Sequence, residues 1–145
     1  MNFPQNISFT ITNACNLRCR MCGQWSKKGY MYNKEKNFNS SLKLADWKRL
    51  VDEVASHHIK SILIRGGEPF LFPKITELLK YISRKGIRIS LDTNGTVLNK
   101  YAAELVEMEN MHLTISLDGP PEIHDKVRGV QGCYEKIKDN LTLLN

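Results

Sequence analysis

Three cysteines share one short stretch, Cys15-Asn16-Leu17-Arg18-Cys19-Arg20-Met21-Cys22, with the spacing Cys-x3-Cys-x2-Cys. Three thiolates on one loop can hold three irons of a cubane iron–sulfur cluster and leave the fourth without a protein ligand. Electron carriers normally close such a cluster with four cysteines. An open iron is instead a place to bind a molecule and reduce it. A zinc site with a distant fourth ligand is the other reading of clustered cysteines. Zinc ligands usually come as pairs separated by a longer loop, and no second pair follows. The remaining cysteine, Cys133, starts a helical pattern and reads as a small buried residue.

Other polar clusters punctuate the chain. Gly66-Gly67-Glu68-Pro69 would bring bare backbone close to a ligand and point a carboxylate at it. Asp92-Thr93-Asn94-Gly95 reads equally as pocket lining or as an Asn-Gly turn. Ser116 lies in Ile115-Ser116-Leu117-Asp118-Gly119, and Arg128 closes His124-Asp125-Lys126-Val127-Arg128. An Arg fork matches a carboxylate with two parallel hydrogen bonds and keeps its charge at any relevant pH. His124 and Asp125 read as shaping a loop that carries Arg128. His57, His58 and His112 read as structural.

The elements between these clusters would have to position them. An alternating run, Ile7 to Thr12, precedes the cysteines. A polar stretch, residues 23–41, has no periodicity and reads as a loop or lid. Leu44, Trp47, Leu50, Val51 and Val54 recur at helical spacing, and Ser61 to Ile64 reads as a buried strand. A helix is expected from about Pro73 to Lys85, stopped by Gly86, then a strand over Ile87–Leu91. A helix over about Lys100–Met108, with Asn99 as its cap, leads to a strand over Met111–Leu117 and a last helix from near Cys133. Strands alternating with helices imply an α/β fold with parallel pairing and right-handed crossovers. The polar clusters fall at the strands' C-terminal ends, the edge where α/β barrels carry their active sites.

The cysteine spacing and the Gly-Gly-Glu-Pro segment together resemble the radical S-adenosylmethionine (SAM) superfamily. The Ser116 and Arg128 block resembles its peptide- and protein-modifying branch. The resemblance implies a partial (β/α) barrel of parallel strands, with about four βα units present of the usual six. Residues 1–145 would then form the N-terminal two-thirds of the core domain. It implies a [4Fe–4S] cluster on Cys15, Cys19 and Cys22, and SAM chelating the open iron. Gly66, Gly67 and Glu68 would hold the SAM amino group, Ser116 and Arg128 its carboxylate, and Thr93 and Asn94 the ribose or substrate side. The residue before the third cysteine is usually aromatic in the family and lies near the adenine; here it is Met21, apolar and polarizable. Reductive cleavage of SAM would give methionine and a 5′-deoxyadenosyl radical that abstracts hydrogen from an unknown substrate of the peptide or protein kind. An electron donor such as a flavodoxin or ferredoxin is implied. The rival reading is a non-catalytic truncated fragment that only binds a cluster or zinc.

The chain has 145 residues, 41% of them hydrophobic and 25% charged, enough for one cored domain. No apolar run reaches the ~18 residues of a membrane span. The start shows no secretory pattern. Irregularly spaced cysteines argue against a disulfide framework and for a reducing, cytoplasmic setting. The formal net charge is +6, and Arg18, Arg20, Lys27, Lys28, Lys34 and Lys36 surround the cysteines. That rim suits an anionic substrate or an acidic electron donor, or is a solvated loop. Its aromatics, Trp25, Tyr30 and Tyr32, are not interleaved with bases, so nucleic acid is not expected.

Overall fold

The computed structural model describes residues 4–32 and 42–144. Its element order is β1 (Asn6–Thr10), α1 (Leu44–Ser56), β2 (Ser61–Arg65), α2 (Ile75–Arg84), β3 (Arg88–Thr93), α3 (Ala102–Leu105), β4 (Met111–Ile115), α4 (Pro121–Arg128) and α5 (Cys133–Leu141). The strands form one parallel sheet in the order β1-β2-β3-β4. The expected α/β architecture of parallel strands with helical crossovers is therefore present.

Register separates the two faces of the sheet. Ile7, Ile62, Ile89 and Met111 lie side by side, as do Phe9, Ile64, Leu91 and Leu113. Strand side chains alternate with a period of two, so both rows face the same way. They pack on Trp47, Val51 and Val54 of α1 and on Ile75, Leu78, Leu79 and Ile82 of α2. The opposite face carries Ser8, Leu63, Ser90 and His112 in one row and Thr10 and Arg65 beside it. That face is mostly polar, with Leu63 its apolar member in these rows. α1 begins with the Asp46 carboxylate accepting from the Lys43 backbone N–H at 2.8 Å, which satisfies one of the donors left over at a helix start. Among the described residues, no helix is long and apolar enough to cross a membrane.

Three expectations are corrected. The helix expected over Lys100–Met108 is a 3-10 turn, Leu98–Lys100, followed by the short α3, whose cap is Tyr101 and not Asn99. The strand expected to reach Leu117 ends at Ile115. The segment of His124, Asp125 and Arg128, read as a loop, is the helix α4, with a proline in its first turn and Gly129 at φ 75° closing it. Of the expected loop or lid at 23–41, residues 33–41 lie outside the described residues. Residues 23–32 form successive turns closed by backbone bonds, among them Ser26 N to Cys22 O at 3.1 Å and Met31 N to Gln24 O at 2.8 Å.

Candidate active site

The loop after β1 leaves the sheet as an irregular segment that several groups tie down. Gly67 N donates to Thr12 O at 2.8 Å, and Glu68 N donates to Ala14 O at 2.7 Å. This approach is why both glycines are needed. A Cβ on Gly66 would lie 2.3 Å from Thr12 O, and one on Gly67 would lie 2.2 Å from Ala14 O. Bare backbone here admits the cysteine loop as well as opening on the cavity. Trp25, 1% exposed, wedges under the same loop and donates from Nε1 to Asn13 O at 2.8 Å. The Arg18 guanidinium stacks on the Trp25 ring at 4.1 Å and donates from Nη1 to Cys15 O and Leu17 O.

Cys15, Cys19 and Cys22 are free thiols, and all three line one cavity of about 500 Å³ at the C-terminal edge of the sheet. Each sulfur faces a donor. Leu17 N donates to Cys15 Sγ at 3.5 Å, Arg128 Nη1 to Cys19 Sγ at 3.8 Å, and Trp25 N to Cys22 Sγ at 3.4 Å. Such donors suit sulfurs that carry negative charge as metal ligands. Burial pushes the Cys15 thiol up to about 11, with Glu68, Cys19 and Cys22 adding to the rise. Burial also raises Cys19, against the lowering effect of Arg128. Among the described residues, no three His, Cys, Asp or Glu side chains converge as they would around a single metal ion. Three thiols on one cavity rim, each with a donor at its sulfur, are a thiolate set that could hold a cluster in which each sulfur takes a different iron.

The cavity brings together most of the residues that the sequence singles out. Met21, Gly66, Gly67, Thr93, Asn94, Ser116 and Arg128 line it with the cysteines. Met21 is 58% exposed at its mouth. Asp92, of the same cluster as Thr93 and Asn94, also lines it, as do Leu17, Gln24, Trp25, Arg65 and Thr114, to which the sequence alone assigns no site role. Strand alternation could have found Arg65, Asp92 and Thr114, which share the polar face of the sheet.

Glu68 is the exception. It is fully buried, and its carboxylate does not face the cavity. It accepts from Phe70 N at 3.2 Å, Thr93 Oγ1 at 2.8 Å and Asn94 N at 2.8 Å. Burial raises its pKa while these donors oppose the rise. Glu68 therefore laces the end of β2 to the end of β3. The network continues through Asn94 Nδ2 to Asn16 Oδ1 at 2.9 Å and Asn16 Nδ2 to Thr96 Oγ1 at 2.7 Å, reaching the cysteine loop. The Asn94-Gly95 segment is thus both a turn and a strut.

Arg128 is 8% exposed and does not offer an empty fork. Its Nε and Nη2 donate to the two oxygens of Asp118, at 2.6 and 3.1 Å. The Nη1 edge remains on the cavity side, at Cys19. Cys133 is buried with Leu17, Cys19 and Ile137, the apolar company expected of a small packed cysteine.

Comparison with known proteins agrees with this fold. The sequence matches the radical SAM superfamily over residues 9–145, and the chain belongs to that family. It is 34% identical over 130 residues to the Fe-coproporphyrin III synthase of Methanosarcina barkeri, covering 89% of this chain and 31% of that protein. It is 28% identical over 145 residues to the antilisterial bacteriocin subtilosin biosynthesis protein AlbA of Bacillus subtilis, covering 98% of this chain and 31% of that one. The chain spans about a third of the length of these curated relatives. Streptococcus suis SuiB bound to SAM has the same fold, with a TM-score of 0.78 at 19% identity, covering 97% of this chain and 32% of SuiB.

Proposed function

We propose that this chain is the cluster- and SAM-binding part of a radical SAM enzyme. Cys15, Cys19 and Cys22 hold a [4Fe–4S] cluster. When bound, the cluster supplies one electron that cleaves SAM reductively to methionine and a 5′-deoxyadenosyl radical, which takes hydrogen from a substrate. The chain's own residues bind and orient. The bared backbone at Gly66 and Gly67 accepts the amino group of SAM. The Ser116 hydroxyl and the Nη1 edge of Arg128 meet its carboxylate. Thr93, Asn94 and Met21 border the nucleoside. Glu68 acts from behind, by fixing the turns that carry these groups.

The observation that carries this reading is the three-sulfur rim on one cavity, each sulfur facing a donor, beside the glycine pair. A peptide or protein is the substrate class we propose, in keeping with the subtilosin biosynthesis protein and with SuiB, whose structure bound to precursor peptide SuiA shares this fold at a TM-score of 0.78. A tetrapyrrole is the second reading, favoured by the identity to the Fe-coproporphyrin III synthase. The basic residues Arg20, Lys27 and Lys28 are exposed near the cysteines and suit an acidic flavodoxin or ferredoxin as donor. A reducing cytoplasm is the setting such thiolates require. Calorimetric titration of SAM onto anaerobically reconstituted protein tests the site. Binding that needs the cluster is expected, and equal binding to the iron-free chain would contradict it.

A further inference from the structure

The contacts of Arg128 assign it more than a ligand role. Asp118 ends the segment after β4, and α4 folds back so that Arg128, ten residues on, returns to it. His124 holds the turn between them: its Nδ1 accepts from Asp118 N at 3.3 Å. The end of α4 is pinned to the cysteine loop by Arg20 N donating to Val127 O at 2.9 Å. Gly129 then passes so close to this loop that a Cβ there would lie 3.2 Å from Arg18 O. The result is a planar cation whose Nε–Nη2 edge is gripped by the two oxygens of Asp118. Its remaining nitrogen, Nη1, is aimed at Cys19 Sγ at 3.8 Å.

We propose that Asp118 is a positioning residue that holds the Arg128 guanidinium on the Cys19 sulfur, and that Arg128 thereby raises the reduction potential of the cluster. This rests on the cluster reading above. The reduced cluster carries one more negative charge than the oxidised one. A cation and an N–H donor at a ligating sulfur stabilise the reduced form more and make it easier to reach. Arg128 and Cys19 are themselves 8% and 7% exposed, so screening between them is weak. The carboxylate of Asp118 is itself negative and, as a bare charge, would lower the potential. Positioning and bare charge therefore act with opposite signs, and the two roles can be told apart.

The test is a redox titration followed by electron paramagnetic resonance on the reconstituted 145-residue chain, with iron and sulfide measured on every variant. Arg128→Gln is expected to shift the cluster to a more negative potential. Arg128→Lys, which keeps the charge and loses the fork, is expected to shift it less. Asp118→Asn is also expected to shift it negative, because the guanidinium is released from Cys19. In the Arg128→Gln background, the same Asp118→Asn change is expected to give no negative shift. A shift of Asp118→Asn toward positive potential, or none, overturns the proposal. Should Asp118→Asn fail to retain iron, Asp118→Glu carries the test, with a negative shift expected and an unchanged potential overturning it. Zinc without sulfide in the unmutated chain would instead overturn the cluster reading itself.

Discussion

Cys15 shows what burial does to a would-be ligand. Its thiol is pushed up to about 11 from 9.0, mainly by desolvation. The iron-free chain should therefore hold Cys15 protonated at neutral pH, and alkylation of Cys15 by iodoacetamide should reach half its maximal rate well above the pH of an exposed thiol. The linkage has a definite sign. A group whose folded pKa is raised stabilises the fold fully below its unfolded value and loses that contribution as pH rises toward the folded one. The apo chain should lose stability between about pH 9 and 11, read by denaturant midpoints. Midpoints that stay level across that window would show that Cys15 is not buried as described. The cysteine spacing was legible in the sequence because three cysteines within eight residues stand out by themselves. The hydrogen-bond partners of the Glu68 carboxylate were not, because a strand-end Glu reads alike whether it faces a ligand or three inward donors.

At the level of elements, the Gly-Gly-Glu-Pro turn joins β2, β3 and the cysteine loop. Glu68→Ala would leave the Phe70 and Asn94 backbone donors and the Thr93 hydroxyl without their buried acceptor. A loss of roughly 2–5 kcal/mol is expected from such orphaned groups, measured by urea unfolding. A loss below about 0.5 kcal/mol, the range of ordinary surface substitutions, would contradict the network. Gly67→Ala should disrupt the cysteine loop while the sheet persists, since the clash is with Ala14 O and not with the core. Retained far-ultraviolet dichroism with diminished iron uptake is the expected pair of results; full iron uptake would contradict the close approach. α1, α2 and the strands were legible because their apolar residues keep a clear period. α4 was not, because His124 and Arg128 are its buried residues and its sequence lacks an apolar stripe. Its proline start and Gly129 stop were the signals available.

For the molecule as a whole, the alternation of strands and helices was enough to give a parallel sheet with the polar clusters on one edge. Long-range ties such as Asn16 to Asn94 and Thr96 have no sequence signature, since they depend on how loops 80 residues apart meet. In the described residues β4 has β3 on one side only, and Leu117, Ile123 and Leu143 are exposed. Open strand edges template pairing with other chains. The 145-residue chain is therefore expected to self-associate, with light scattering after size exclusion reporting a mass above 16.7 kDa that rises with concentration. A strict monomer at every concentration would contradict this.

The central claim is that three thiolates on one rim hold a cluster that cleaves SAM. The most direct measurement is iron, acid-labile sulfide and zinc on the anaerobically reconstituted chain, with 5′-deoxyadenosine counted after adding SAM and dithionite. About four irons and four sulfides per chain are expected, with 5′-deoxyadenosine formed by the unmutated chain and both signals lost in Cys19→Ala. One zinc per chain, no sulfide and no 5′-deoxyadenosine would contradict the account.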